Sequence, residues 1–195
     1  AQPLQLARYT RAAATAAHPA CDYQGDAWKV AGAPRWAANG TVVGKAAGQQ
    51  ESPAMISDGA GGAILGWRDD RNIATTSVDL YAQRLSAAGI PQWTANGNAI
   101  TIAAGSQSAF DMVSDDAHGA LIVFDDNRNS ATTSVDLYAQ HLECSGQSRV
   151  FLNSVALTTQ PGLQHGPGAC AHRPGGPSLS VAAARPAAPL VLDTH

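Results

Sequence analysis

Ala74-Thr75-Thr76-Ser77-Val78-Asp79-Leu80-Tyr81-Ala82-Gln83 occurs a second time, letter for letter, as Ala131-Thr132-Thr133-Ser134-Val135-Asp136-Leu137-Tyr138-Ala139-Gln140. The offset, 136 − 79 = 57 residues, is the period on which the chain is organised. A fixed period of this size, carried by short strands and glycine-rich turns, predicts repeated units that bury their apolar faces against one another.

The period extends outward from this stretch in both directions. Gly32, Trp36, Asn39 and Gly40 precede Gly89, Trp93, Asn96 and Gly97 by one period, and Met55, Ser57 and Asp58 so precede Met112, Ser114 and Asp115. Gly62-Ala63 matches Gly119-Ala120, Trp67 matches Phe124, and Asp69, Arg71 and Asn72 match Asp126, Arg128 and Asn129. Beyond Gly146 the register thins, yet Asn153, Ala156, Thr158, Gly162 and Gln164 still match Asn96, Ala99, Thr101, Gly105 and Gln107. Two full units and the opening of a third are present.

Each unit reads as four strands. The first covers Ser52–Ile56 and ends in the turn Asp58-Gly59-Ala60-Gly61-Gly62, whose glycines allow positive φ. The second, Ala63–Arg68 and its copy from Ala120 to Phe124, is a continuous apolar run, as a strand buried on both faces requires. The third is Val78–Leu85, and the fourth lies around Trp93 to Ile102, interrupted by the turn signal Asn96-Gly97. The fold class is therefore all-β: four-stranded antiparallel, blade-like units forming a partial β-propeller, with a small β-sandwich as the alternative.

Three segments follow. Residues 1–25 form an N-terminal arm with an alanine run at 12–17, residues 26–164 carry the repeats, and residues 165–195 form an irregular Pro/Gly/Ala-rich tail. Roughly the last thirty residues have too little apolar content to offset their ordering entropy and are expected to be irregular or disordered.

The 195 residues suffice for one domain with a sizeable core. A net charge of -3 leaves no basic footprint for nucleic acid. No apolar run reaches transmembrane length, so membrane insertion is not expected. Charged residues are 14%, a low share that, with abundant Gly, Ala, Ser and Thr, suits turned β structure outside a cell. Cys21, Cys144 and Cys170 form no CxxC pair and at most one bridge, so isolated thiols are the simpler reading.

Asp58–Ala63, Trp67–Arg71, Asp79–Leu85 and Gly89–Trp93 spell Asp-Gly-x-Gly-Gly-Ala, Trp-x-Asp-x-Arg, Asp-Leu-Tyr-Ala-Gln-Arg-Leu and Gly-x-Pro-x-Trp. In this order they resemble the blade repeats of large secreted bacterial β-propeller proteins, over about residues 27–164. The second unit departs from the pattern at Phe124, His141 and Val150. The resemblance implies a bacterial extracellular or cell-surface location and blade architecture more than it implies chemistry. A closed propeller needs at least four blades. Closure by copies of the same chain, or by the missing blades of a longer chain, is therefore expected.

Asp69 and Asp70, with Asp125, Asp126 and Asn127, offer hard oxygen ligands of the kind calcium takes, although no EF-hand spacing is present. The competing reading has Asp69 and Asp126 bonding their own turns while Arg71 and Arg128 pair with a neighbouring unit's acid. Tyr81 and Tyr138 share a strand face with Asp79 and Asp136, either lining a channel or bonding between units. His118 and His141 have no histidine counterpart one period away, being matched by Gly61 and Arg84, and are candidate ligand-binding or metal groups. Trp67 is a candidate sugar platform if exposed, and core otherwise. No nucleophile elbow, zinc-protease motif or phosphate loop occurs.

Three functions fit these features. The first is an extracellular, non-enzymatic repeat module binding a carbohydrate, small molecule or protein partner through its loops. The second is a calcium-dependent hydrolase of lactones or glycosides working through the acidic loops. The third is a structural fragment of a longer propeller.

Overall fold

The uninterrupted apolar runs around Leu65 and Val123 become interior strands of two four-stranded antiparallel sheets. The computed structural model describes residues 4–6, 36–37, 39–149, 154–159, 166–172, 178–182 and 190–193; for 4–6, 170–172, 178–182 and 190–193 it describes the backbone alone. All regular structure among these residues is β. The alanine run at 12–17, Cys21, the side chain of Cys170 and Val150 lie outside what is described.

The first full unit consists of β3 (Gln50–Ser57), β4 (Ala63–Asp69), β5 (Asp79–Leu85) and β6 (Asn98–Thr101), hydrogen-bonded in that order. The second repeats it with β7 (Gln107–Ser114), β8 (Ala120–Asp126), β9 (Asp136–Leu142) and β10 (Val155–Ala156). Register repeats too: Trp67 stands opposite Tyr81 and Asp69 opposite Asp79, as Phe124 stands opposite Tyr138 and Asp126 opposite Asp136. The fourth strand is shorter than its sequence span because Asn96 and Gly97, both at positive φ, turn the chain just before it.

Alternation along the interior strands sends side chains to two different cores. Ile64 of β4 joins Leu80, Ala82 and Ile100 against Met112, Ile122 and Phe124 of the next unit. Ala63 and Leu65 face the other way, towards Trp36 and Val43. In β8, Leu121 and Val123 likewise turn from the first core towards Ala169. Both faces of β4 and β8 are covered, which accounts for runs lacking polar alternation.

Tryptophan joins consecutive units. Trp36 Nε1 donates to the Ala87 carbonyl at 3.0 Å and, one period later, Trp93 Nε1 donates to that of Cys144 at 3.0 Å. Each ring lies so close to the following turn that a Cβ on Gly89 would meet Trp36 Cγ at 2.6 Å. On Gly146 it would meet Trp93 Cγ at 2.7 Å. Inside the first unit Trp67 lies against Gly44 and Gly97, where added Cβ atoms would approach its ring to 3.1 and 2.5 Å. One period on, Thr101 and Ser154 occupy those two positions and the ring is the smaller Phe124.

The two flanking segments contribute strands. Residues past Gln164, expected to be irregular, contain β11 (Gly168–His172), β12 (Ser178–Ala182) and β13 (Leu190–Asp193), a three-stranded antiparallel sheet. The Pro and Gly residues that dominate the composition fall largely between these strands, while Ser178-Leu179-Ser180-Val181 keeps a two-residue alternation. β11 lies beside β7 as β7 lies beside β3. In the arm, β1 (Leu4–Leu6) pairs with β2 (Thr41–Gly44).

Candidate functional site

Each unit holds a polar cluster at the end of its two interior strands, where the loop after β4 or β8 turns back. Asp69 is buried and accepts four hydrogen bonds: Trp67 Nε1 at 2.9 Å, and Arg71 backbone N, Nε and Nη2 at 2.9, 2.8 and 2.6 Å. Arg71 Nη2 also donates to the Asn96 carbonyl at 2.8 Å, and its guanidinium lies 3.7 Å from the centre of the Tyr81 ring. Burial pushes the Asp69 pKa up, but Arg71, Trp67 and the backbone outweigh it and hold it below the ordinary value. Asp126 repeats the arrangement, accepting Arg128 N at 2.8 Å and Nη2 at 2.6 Å, with the guanidinium 3.9 Å from the Tyr138 ring centre.

The second acid of the cluster has a different environment. Asn72 Nδ2 donates to Asp79 Oδ2 at 2.9 Å and to the Tyr81 hydroxyl at 3.2 Å, and the Thr76 hydroxyl donates to the same carboxylate oxygen at 2.9 Å. Asn129, Thr133, Asp136 and Tyr138 repeat these bonds. Burial raises the Asp79 pKa, Asn72 and Thr76 pull it down, and nearby Asp69 raises it further, leaving it above the ordinary value. Burial also raises both tyrosines.

These bonds correct three expectations. Arg71 and Arg128 pair with acids of their own loops, because the side chain folds back over two residues and reaches its acid in bidentate fashion at Asp69. Tyr81 and Tyr138 bond within their units through Asn72 and Asn129, and both are buried, so they line no open channel. Trp67 is fully buried, with its indole N–H engaged, and has no face to offer a sugar.

Four of the candidate calcium ligands, Asp69, Asp70, Asp126 and Asn127, accept hydrogen bonds from the protein itself. Asp70 accepts the backbone N–H of Gln49, and Asn127 Oδ1 accepts that of Ser106 at 2.5 Å, so this pair tethers the loop to the strand before it. Asp125 stands opposite Leu137 on β8 and, next to Asp126, points to the other face. Among the described residues no three His, Cys, Asp or Glu side chains gather as a metal site. A calcium ion on Asp69 or Asp126 would have to displace a charged guanidinium.

His118 and His141 belong to the other end of the second unit. His141 and Tyr138 are three residues apart on β9, hence about 10 Å distant and on opposite faces. Asp115 Oδ1 accepts the N–H groups of Ala117 and Gly119 at 2.8 and 2.7 Å, and its Oδ2 lies 2.8 Å from His141 Nε2. Asp58 holds its own turn in the same way and meets Arg84 Nε at 3.1 Å, so His141 occupies the place of an arginine. Burial raises Asp115, but His141 and the two backbone donors hold it below the ordinary value. His118 Nδ1 lies 2.7 Å from the Asp58 carbonyl, a bond between consecutive units that requires the nitrogen to donate.

Compared with protein-family models, curated proteins and solved structures, the chain matches none. The geometry itself separates residues that hold the repeat from residues free to meet something else. Asp58, Asp115, Gln83 and Gln140 escaped the sequence reading as structural groups, although each recurs at the 57-residue offset. Gln83 Oε1 accepts the backbone N–H groups of Arg84 and Trp93, joining β5 to the chain beyond it. At the loop tips Ala74-Thr75 and Ala131-Thr132 are the same, and the units differ at one exposed position: Ile73, 57% exposed, stands where the second unit has Ser130.

Proposed function

We propose that this chain is an extracellular β-propeller-type repeat module that binds a carbohydrate, a small molecule or a protein partner through the loops at one end of its units. One observation carries the reading. Matching bonds, Arg71 to Asp69 and Asn72 to Tyr81 in one unit and Arg128 to Asp126 and Asn129 to Tyr138 in the next, shape the two loops alike, while the exposed tip changes at one position, Ile73 against Ser130. A repeated scaffold on which single exposed positions change is one form in which repeat proteins present binding surfaces. The low charge and the resemblance to secreted blade repeats support an extracellular, bacterial setting.

The hydrolase reading asks the acids to engage metal or substrate, whereas Asp69 and Asp126 already pair with the partly buried Arg71 and Arg128. Thermal unfolding with a panel of soluble oligosaccharides, each alone and with calcium chloride, tests the proposal. A ligand at 100 times its Kd should stabilise by about 2.7 kcal/mol, with no product formed. Ile73→Asp should weaken that shift while leaving the ligand-free melt intact. Turnover of a chromogenic lactone or glycoside that Asp126→Ala abolishes without unfolding would overturn it in favour of the hydrolase.

A further inference from the structure

Among the described residues, β1 and β13 each stand at an open edge of a sheet. In both full units the third and fourth strands meet in one register: Tyr81 opposite Ala99 and Ala82 opposite Asn98, then Tyr138 opposite Ala156 and Ala139 opposite Val155. β2 lies one period before β6 (98 − 57 = 41), so it is itself a fourth strand. What it pairs with is β1, and the register is the same: Gln5 opposite Val42 and Leu6 opposite Thr41. Even the irregularity recurs, since Leu4 opposite Gly44 skips a residue as Leu80 opposite Thr101 does. Leu4-Gln5-Leu6 thus stands in the place of Leu80-Tyr81-Ala82, a three-residue substitute for a seven-residue strand.

The third sheet has the converse deficit. β12 falls one period after part of β8 (178 − 57 = 121), and in that frame Leu190 stands opposite Val181 as Tyr138 stands opposite Phe124. β13 is therefore a third strand, and among the described residues no fourth strand pairs with its outer edge. Among the described residues, one end of the array has a fourth strand with a short third-strand substitute, and the other has a third strand with no fourth strand paired to it.

We propose that β13 of one molecule pairs antiparallel with β2 of a second copy, displacing β1 and completing a four-stranded unit β11-β12-β13-β2 across the interface. By the register seen twice within the chain, Leu190 comes opposite Val42 and Val191 opposite Thr41 of the other copy. The partner is a second copy because the complementary edges are both on this chain and share its period. An open edge presents unpaired N–H and C=O groups, and pairing them supplies the association energy. The inference rests on the blade reading of the units and not on what their loops bind, so cross-linking and ligand shifts fail or succeed separately.

The test is disulfide trapping in the full chain carrying Cys21→Ser, Cys144→Ser and Cys170→Ser. Thr41→Cys with Val191→Cys should give a disulfide between differently tagged copies on a non-reducing gel. Thr41→Cys with Leu190→Cys, one residue out of register and hence on opposite faces, should give several-fold less. In the cysteine-free chain, light scattering should show association that rises when residues 1–6 are deleted and is lost when residues 190–195 are deleted. A disulfide within one chain, equal trapping by both pairs, or a monomer at every concentration with residues 1–6 removed would each overturn the proposal.

Discussion

Asp69→Ala and Asp126→Ala delete the same carboxylate from two copies of one network, yet the structure predicts unequal losses. Both variants strand a largely buried guanidinium, with side-chain exposure of 17% for Arg71 and 16% for Arg128. Removing one partner of a buried ion pair costs about 3–5 kcal/mol, and partial access to water places each variant near about 3 kcal/mol. Only the first unit adds a second orphan. Trp67 Nε1 donates to Asp69, and the ring is fully buried, so water cannot replace the acceptor. Phe124 has no donor at the equivalent place. An unsatisfied buried N–H costs about 1–3 kcal/mol, so Asp69→Ala should exceed Asp126→Ala by about 2 kcal/mol. In a chain of this length that gap corresponds to about 4–8 °C in Tm. Urea unfolding followed by circular dichroism and by tryptophan fluorescence, in calcium and in chelator, measures it. Equal losses would refute the tryptophan argument. A wild-type protein that becomes as unstable in chelator as either variant would refute the ion-pair assignment, since the carboxylates would then act through a metal.

Two further outcomes follow from the titrating groups. The Asp115 pKa is held below its ordinary 3.8, so its stabilisation is present above that pH and is lost as pH falls through the lower folded value. His141→Ala should raise the pH of acid unfolding, and His141→Arg, which copies the Arg84–Asp58 pair, should restore it; no change in His141→Ala would count against the contact. The Asp79 pKa is raised, so its stabilising contribution is present below 3.8 and is lost as pH rises through the higher folded value. Relative to wild type, Asp79→Asn should therefore become more favourable between pH 3 and pH 7, read as urea midpoints, and a pH-independent difference would contradict the assignment.

Period, strand type and turns are legible in the chain because each depends on neighbours in sequence. The exact recurrence around Asp79, the apolar run around Leu65 and the Asn96-Gly97 turn specify four antiparallel strands per unit before any contact is known. Composition misled where it averaged over unlike pieces: the Pro and Gly residues of the last segment obscure the alternation that makes β12 a strand. The arm is opaque for another reason, since three residues carry no period of their own and β1 is defined only by the partner it meets.

The acidic loops divide along the same line. The sequence shows that Asp69, Arg71, Asn72, Asp79 and Tyr81 recur together, but not which oxygen faces which donor. That depends on β4 and β5 placing Asp69 opposite Asp79, and on Arg71 folding back over both the acid and the Tyr81 ring. Likewise the exchange of Trp67 for Phe124 becomes intelligible only when Gly44 and Gly97 are seen against the ring, with Thr101 and Ser154 in their places one period later. Backbone pattern is a local property that survives in a list of letters. Partnership between side chains is a property of distance, and only the packed sheets bring the partners within a few ångströms of each other.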